Sequence, residues 1–75
     1  MNDKELLKRL GLKLKILRNL KNLSQDDIAD KLNIDKSYYS KLERGLANPT
    51  FLYLKHLSEI FEVNITEIVD SNISF

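Results

Sequence analysis

Residues 25–44, QDDIADKLNIDKSYYSKLER, leave a chain little freedom in how it folds. Ser24 stands in front of the run as an N-cap, and Asp26 and Asp27 suit the positive end of a helix that starts there. Ile28 and Leu32 are four apart and share one face, with Ala29 beside them. Asn33 then falls where the chain must turn, and asparagine tolerates positive φ better than other residues with a side chain. Asp35 caps a second helix, on which Tyr39 and Leu42 point inward, and Gly45 stops it. Ala29 is small where the two helices cross; a larger side chain would push them apart. Ile28, Leu32, Ile34, Tyr39 and Leu42 supply an apolar interior. Two short helices joined by a turn of three or four residues have the helix-turn-helix spacing.

The rest of the chain supplies the remaining core. With 75 residues and no cysteine, it is one small domain, residues 1–75, with a thin core and no thiol cross-links or thiolate metal site. Dimerisation is the remaining common stabiliser. In the first segment, about 3–21, the alternation of Leu10, Leu12, Leu14 and Ile16 could be read as a strand. Leu6, Leu10, Leu14 and Leu17, with Leu7 beside them, follow helical spacing instead, and the length and abundance of Leu and Lys favour helix. Asn22 is its left-handed stop. Leu12, Ile16 and Leu20 form a second stripe, either extra core or a partner surface. Thr50 caps a fourth helix running to about Phe61, with Phe51, Leu54, Leu57, Ser58 and Phe61 on its buried face. A short fifth helix covers Thr66 to about Val69, with Ile65 and Ile68 inward. The fold class is all-α, five helices with short connections.

A net charge of +1 says little about partners. Its distribution says more. Residues 1–21 hold seven Lys/Arg against two acids, whereas residues 50–75 hold Lys55 against four acids. A basic beginning and an acidic end let one face meet an anion while the other avoids it. No apolar run approaches the ~20 residues of a membrane span, and the charged start MNDKELLKRL does not read as a signal peptide, so a cytoplasmic protein is expected. A single histidine, His56, and no cysteine leave no nucleophile–base pair, and Gly11 and Gly45 are too far apart for a phosphate-cradling loop. An enzyme is not expected, and neither a metal, a cofactor nor a small-molecule ligand is called for.

The stretches LGLKLKILR, LSQDDIADKLNIDKSYYSKLERG and NPTFLYLKHLSEIFEVNITEI together resemble the Cro/phage-repressor, or Xre-type, helix-turn-helix DNA-binding domains. The similarity spans about residues 10–69, in order and spacing, and the size and KSYYSKLERG are similar to small members such as restriction-modification controller proteins. The resemblance implies a lambda-repressor-like fold, with the third helix in the DNA major groove. It makes Lys36, Ser37 and Lys41 base readers, with Tyr38 and Ser40 next. Lysine can donate to guanine O6 and N7, serine can give or accept, and a tyrosine ring can touch a thymine methyl. Gln25, Arg44, Asn48 and Thr50 are implied phosphate contacts, and Arg18 and Glu43 a structural ion pair between helices 1 and 3. Tyr39 stands where the family usually has an aliphatic residue, Ser58 where alanine is common and Glu62 where glycine is common.

The function expected is therefore a sequence-specific regulator of transcription, more naturally a repressor, acting as a homodimer on a pseudo-palindromic operator. Leu52, Ile60, Val69, Ile73 and Phe75 are the expected dimer surface. The alternative is a protein-interaction module, an antitoxin or antirepressor, since fold does not fix function.

Overall fold

The computed structural model describes residues 2–69. Five α-helices follow in order: α1 Asp3–Leu20, α2 Gln25–Leu32, α3 Lys36–Glu43, α4 Phe51–Phe61 and α5 Ile65–Val69. Capping sets most of these limits. The Asn2 side chain accepts the Glu5 N–H at 2.8 Å. Ser24 and Asp27 form a reciprocal capping box, which satisfies two of the N–H groups that a helix start leaves unpaired. Thr50 Oγ1 accepts from the Tyr53 N–H at 3.2 Å. Asp35 occupies the N-cap of α3 as expected, but its side chain makes no capping hydrogen bond. Its backbone carbonyl serves instead, accepting from Tyr38 and Tyr39.

Among the described residues, three that carry side chains adopt the left-handed conformation, Asn22, Asn33 and Glu62, with φ of 57°, 56° and 58°. The two asparagines do what their backbone tolerance allows. Glu62 is the costly one, and its carboxylate accepts from Lys21 Nζ at 3.0 Å across an exposed gap. Ser58, buried next to it, is satisfied by donating back to the Lys55 carbonyl at 2.6 Å.

The core gathers Leu14 from α1, Ile28 from α2, Tyr39 and Leu42 from α3, Leu54, Leu57 and Phe61 from α4, and Ile68 from α5. Two expected core residues stand outside it. Leu6 is 38% exposed. It sits in the first turn of α1, before that helix closes on the end of α3, where Lys8 lies against Gly45. Phe51 is 68% exposed, because it opens α4 before that helix reaches the core at Leu54. In the second stripe of α1, Leu12 and Leu20 are exposed and Ile16 half-buried, so the extra-core reading fails for the two leucines.

A glycine sets the distance between α1 and α3. A Cβ on Gly11 would run into the backbone carbonyls of Leu42 and Glu43, with the Leu42 oxygen only 2.5 Å away. The two helices thus touch backbone to side, which puts the end of α3 within reach of Arg18.

Candidate nucleic-acid interface

α3 presents two different faces. Inward it buries Tyr39, Leu42 and Glu43. Outward, Lys36, Ser37 and Lys41 are exposed and Ser40 is half-buried between them, as 3.6 residues per turn requires. Tyr38 lies at the flank. It is half-buried, and its ring meets that of Tyr53 on α4 with centroids 5.7 Å apart and planes tilted by 47°, a favourable aromatic geometry. Of the five expected base readers, four therefore share the outward arc, while Tyr38 is shared with α4.

The inward face is anchored by a polar seam. Arg18 Nε donates to Glu43 Oε2 at 2.6 Å and Nη2 to Glu43 Oε1 at 3.0 Å, a bidentate pair whose side chains are 11% and 3% exposed. Arg18 Nη1 also donates to the Leu23 carbonyl at 2.8 Å, and Gln25 Nε2 donates to Glu43 Oε1 at 3.0 Å. The Arg18–Glu43 pair thus ties the end of α1, the α1–α2 turn, the first residue of α2 and the last of α3. Burial works to raise the Glu43 pKa, but Arg18 and Gln25, and after them the nearby Tyr39 hydroxyl, outweigh it and hold the group below the usual carboxylate range. The Arg18 guanidinium is held above its ordinary value, chiefly by its hydrogen bond to Glu43. Tyr39 is fully buried beside this seam, and its hydroxyl has no hydrogen-bond partner.

The two acids at the start of α2 are both engaged. Asp27 accepts from the Ser24 N–H at 2.8 Å, which holds its carboxyl below the ordinary value. Asp26 lies 3.5 Å from Lys36 Nζ in an exposed ion pair. Lys36 thus offsets Asp26 loosely, whereas Asp27 keeps its negative charge at the helix start. Among the expected phosphate contacts, Arg44 is exposed and its Nε reaches back to the Ser40 carbonyl at 3.4 Å. Asn48 and Thr50 are exposed in and after the turn that follows α3. The Thr50 oxygen that caps α4 keeps its own O–H to donate. Gln25 is half-buried and committed to Glu43.

Of the residues expected on the dimer surface, Leu52 is 65% and Val69 49% exposed, and Ile60 is half-buried. Ile60 borders an open groove of about 500 Å³ with Lys31, Leu32, His56 and Glu59. Ile73 and Phe75, the other two residues expected on this surface, lie outside the described residues.

Residues 14–68 match the model of the helix-turn-helix family HTH_3, more than half of the chain. The chain belongs to that family. The control protein C.MunI from a Mycoplasma species is 36% identical over 91% of this chain and 90% of its own length. The helix-turn-helix transcriptional regulator SlrR of Bacillus subtilis is also 36% identical, over 83% of this chain, which spans 41% of that longer protein. Among solved structures, the restriction-modification controller protein C.AhdI from Aeromonas hydrophila superposes with a TM-score of 0.78 at 31% identity, covering 83% of this chain and 94% of that one. The all-α fold, the five helices and the Xre-type resemblance hold.

Within this helix-turn-helix frame, several features were not read from the sequence. Gly11 entered the sequence reading only as too distant from Gly45 for a phosphate-cradling loop; its meaning depends on α3, 31 positions away along the chain at Leu42. The Gln25–Glu43 bond, the Lys36–Asp26 pair and the Tyr38–Tyr53 contact each join separate helices. The spacing of residues within one helix carries no signal for them.

Proposed function

We propose that the chain is a sequence-specific double-stranded DNA-binding regulator of transcription, and a repressor, bound as a homodimer to a pseudo-palindromic operator. The observation that carries this is the division of α3. Its inner face is fixed to α1 and α2 through Arg18, Glu43 and Gln25, while Lys36, Ser37 and Lys41 stand exposed on its outer face. A rigid helix with donors along one exposed arc suits a major groove, where lysine meets guanine and serine meets any base. Ser40 lies close to the same groove, and Tyr38 would offer the ring edge that Tyr53 leaves open. Gln25, Arg44, Asn48 and Thr50 would set the register on the phosphates.

Two copies joined through Leu52, Ile60 and Val69 would carry two recognition helices, about 34 Å apart on a two-fold operator. A small bound dimer blocks polymerase without further apparatus, which favours repression, and such a role belongs in the cytoplasm. Among the described residues no helix is long and apolar enough to cross a membrane. The exposed Leu12 and Leu20 favour a second reading, an antitoxin or antirepressor that uses this fold to hold another protein.

Two measurements separate these readings. Binding to duplex DNA should weaken steeply as salt rises, because phosphate contacts release counterions. Sedimentation equilibrium at micromolar protein should give the mass of a dimer. No duplex binding at low salt would leave the protein-interaction reading in place, and a monomer with and without DNA would remove the dimer.

A further inference from the structure

On the DNA-binding reading, Gln25 holds a phosphate, yet its amide nitrogen is committed to Glu43 at 3.0 Å. Drawing that amide away would leave a buried carboxylate one donor short, which is unfavourable. A replacement is at hand. Tyr39 lies four residues before Glu43 in α3 and so on the same helical face. It is fully buried, and its hydroxyl is without a partner. A buried orphan hydroxyl is costly, and an apolar side chain would fill the site without that cost. The acceptor has room as well: Glu43 Oε1 takes both Arg18 Nη2 and Gln25 Nε2, whereas Oε2 takes only Arg18 Nε. Burial, and then the Glu43 carboxylate it lies against, push the Tyr39 phenol well above its ordinary range, so it stays protonated, close to the carboxylate but outside hydrogen-bonding geometry with it.

We propose that the Tyr39 hydroxyl is a reserve donor for Glu43, which turns onto the carboxylate when a DNA phosphate draws the Gln25 amide outward. Tyr39 is then a positioning residue that acts through Glu43 and never touches DNA. The exchange lets Gln25 swing out while α3 stays tied to α1, and it accounts for a phenol where the resembled family usually has an aliphatic side chain. The inference rests on the DNA-binding reading.

The test compares wild type, Tyr39→Phe, Gln25→Ala and the double variant. Each is measured for thermal unfolding without DNA and for affinity to a duplex that wild type recovers from a random pool. Tyr39→Phe removes one oxygen and leaves the ring, so the fold is kept. It should unfold at or above the wild-type temperature, yet bind the duplex about fivefold more weakly, the loss of roughly one hydrogen bond. On the Gln25→Ala background, the same change should alter affinity by less than about twofold, because nothing leaves Glu43 there. The proposal is overturned by Tyr39→Phe binding like wild type, by an equal loss on both backgrounds, or by destabilisation of the free protein, which would mean the hydroxyl is already bonded. If wild type recovers no duplex at all, the DNA-binding reading falls, and the reserve donor falls with it.

Discussion

The two faces of α3 are built on opposite principles. The inner face holds Tyr39, Leu42 and Glu43 in fixed contacts, with Glu43 receiving N–H groups from Arg18 and Gln25 within 3.0 Å. On the outer face, Lys36 forms a loose 3.5 Å pair with Asp26, both well exposed. Exposed pairs of that kind contribute little to stability, so the outer side chains can re-aim at a partner. Eight residues thus divide between holding the helix in place and leaving its other side uncommitted. If the division is real, substitutions on the two faces should fail in different assays.

The largest expected effect is on the inner face. Arg18→Ala strands the Glu43 carboxylate and should cost about 3–5 kcal/mol of stability, read by chemical denaturation. The same seam fixes a pH dependence. Glu43 is held below its ordinary value of 4.5, so its contribution is present above that pH and is lost as pH falls below it through the folded value. Wild type should therefore lose stability on acidification below pH 4.5, and Glu43→Gln, less stable at neutral pH, should lose less over the same window. Gly11→Ala comes next, at about 2 kcal/mol, because the clash is with backbone carbonyls that cannot step aside, less the gain in helix propensity. Unchanged stability in Gly11→Ala would mean that the two helices sit further apart than described here.

On the outer face, Lys36→Ala and Lys41→Ala should leave unfolding unchanged within about 0.5 kcal/mol, while each weakens DNA binding by about 1–3 kcal/mol. A large loss of stability in either would break the comparison, since the outer face would then be holding the fold. The smallest effect concerns neither face. Glu62→Gly, at φ 58°, should raise stability by up to about 1 kcal/mol, as glycine relieves the left-handed strain and the exposed Lys21 pair is worth little.

These residues also show how far the sequence could be read. Local signals came through: Ser24, Asn33 and Thr50 mark helix ends by their own chemistry, and the spacing of Ile28, Leu32, Tyr39 and Leu42 gave the buried faces. The Arg18–Glu43 pair was legible from the family resemblance rather than from either residue. Phe51 and Leu6 were misjudged because periodicity gives the direction of a side chain and not whether the core extends that far along the helix. Asp35 caps α3 as expected, through its backbone carbonyl and not its side chain. Gly11 and the bond from Gln25 to Glu43 depend on which helices meet, which no pattern within one helix reveals. For the outer face the sequence supplied residue types, and the fold brought Lys36, Ser37, Ser40 and Lys41 onto one arc while turning Tyr38 toward Tyr53.

The most direct test of the central claim is selection of bound duplexes from random DNA by wild type, Lys36→Ala and Lys41→Ala. The account predicts a defined, two-fold related sequence for wild type and relaxed preference at different base positions in each variant. A wild-type selection with no preference, or the same preference in all three proteins, would contradict it.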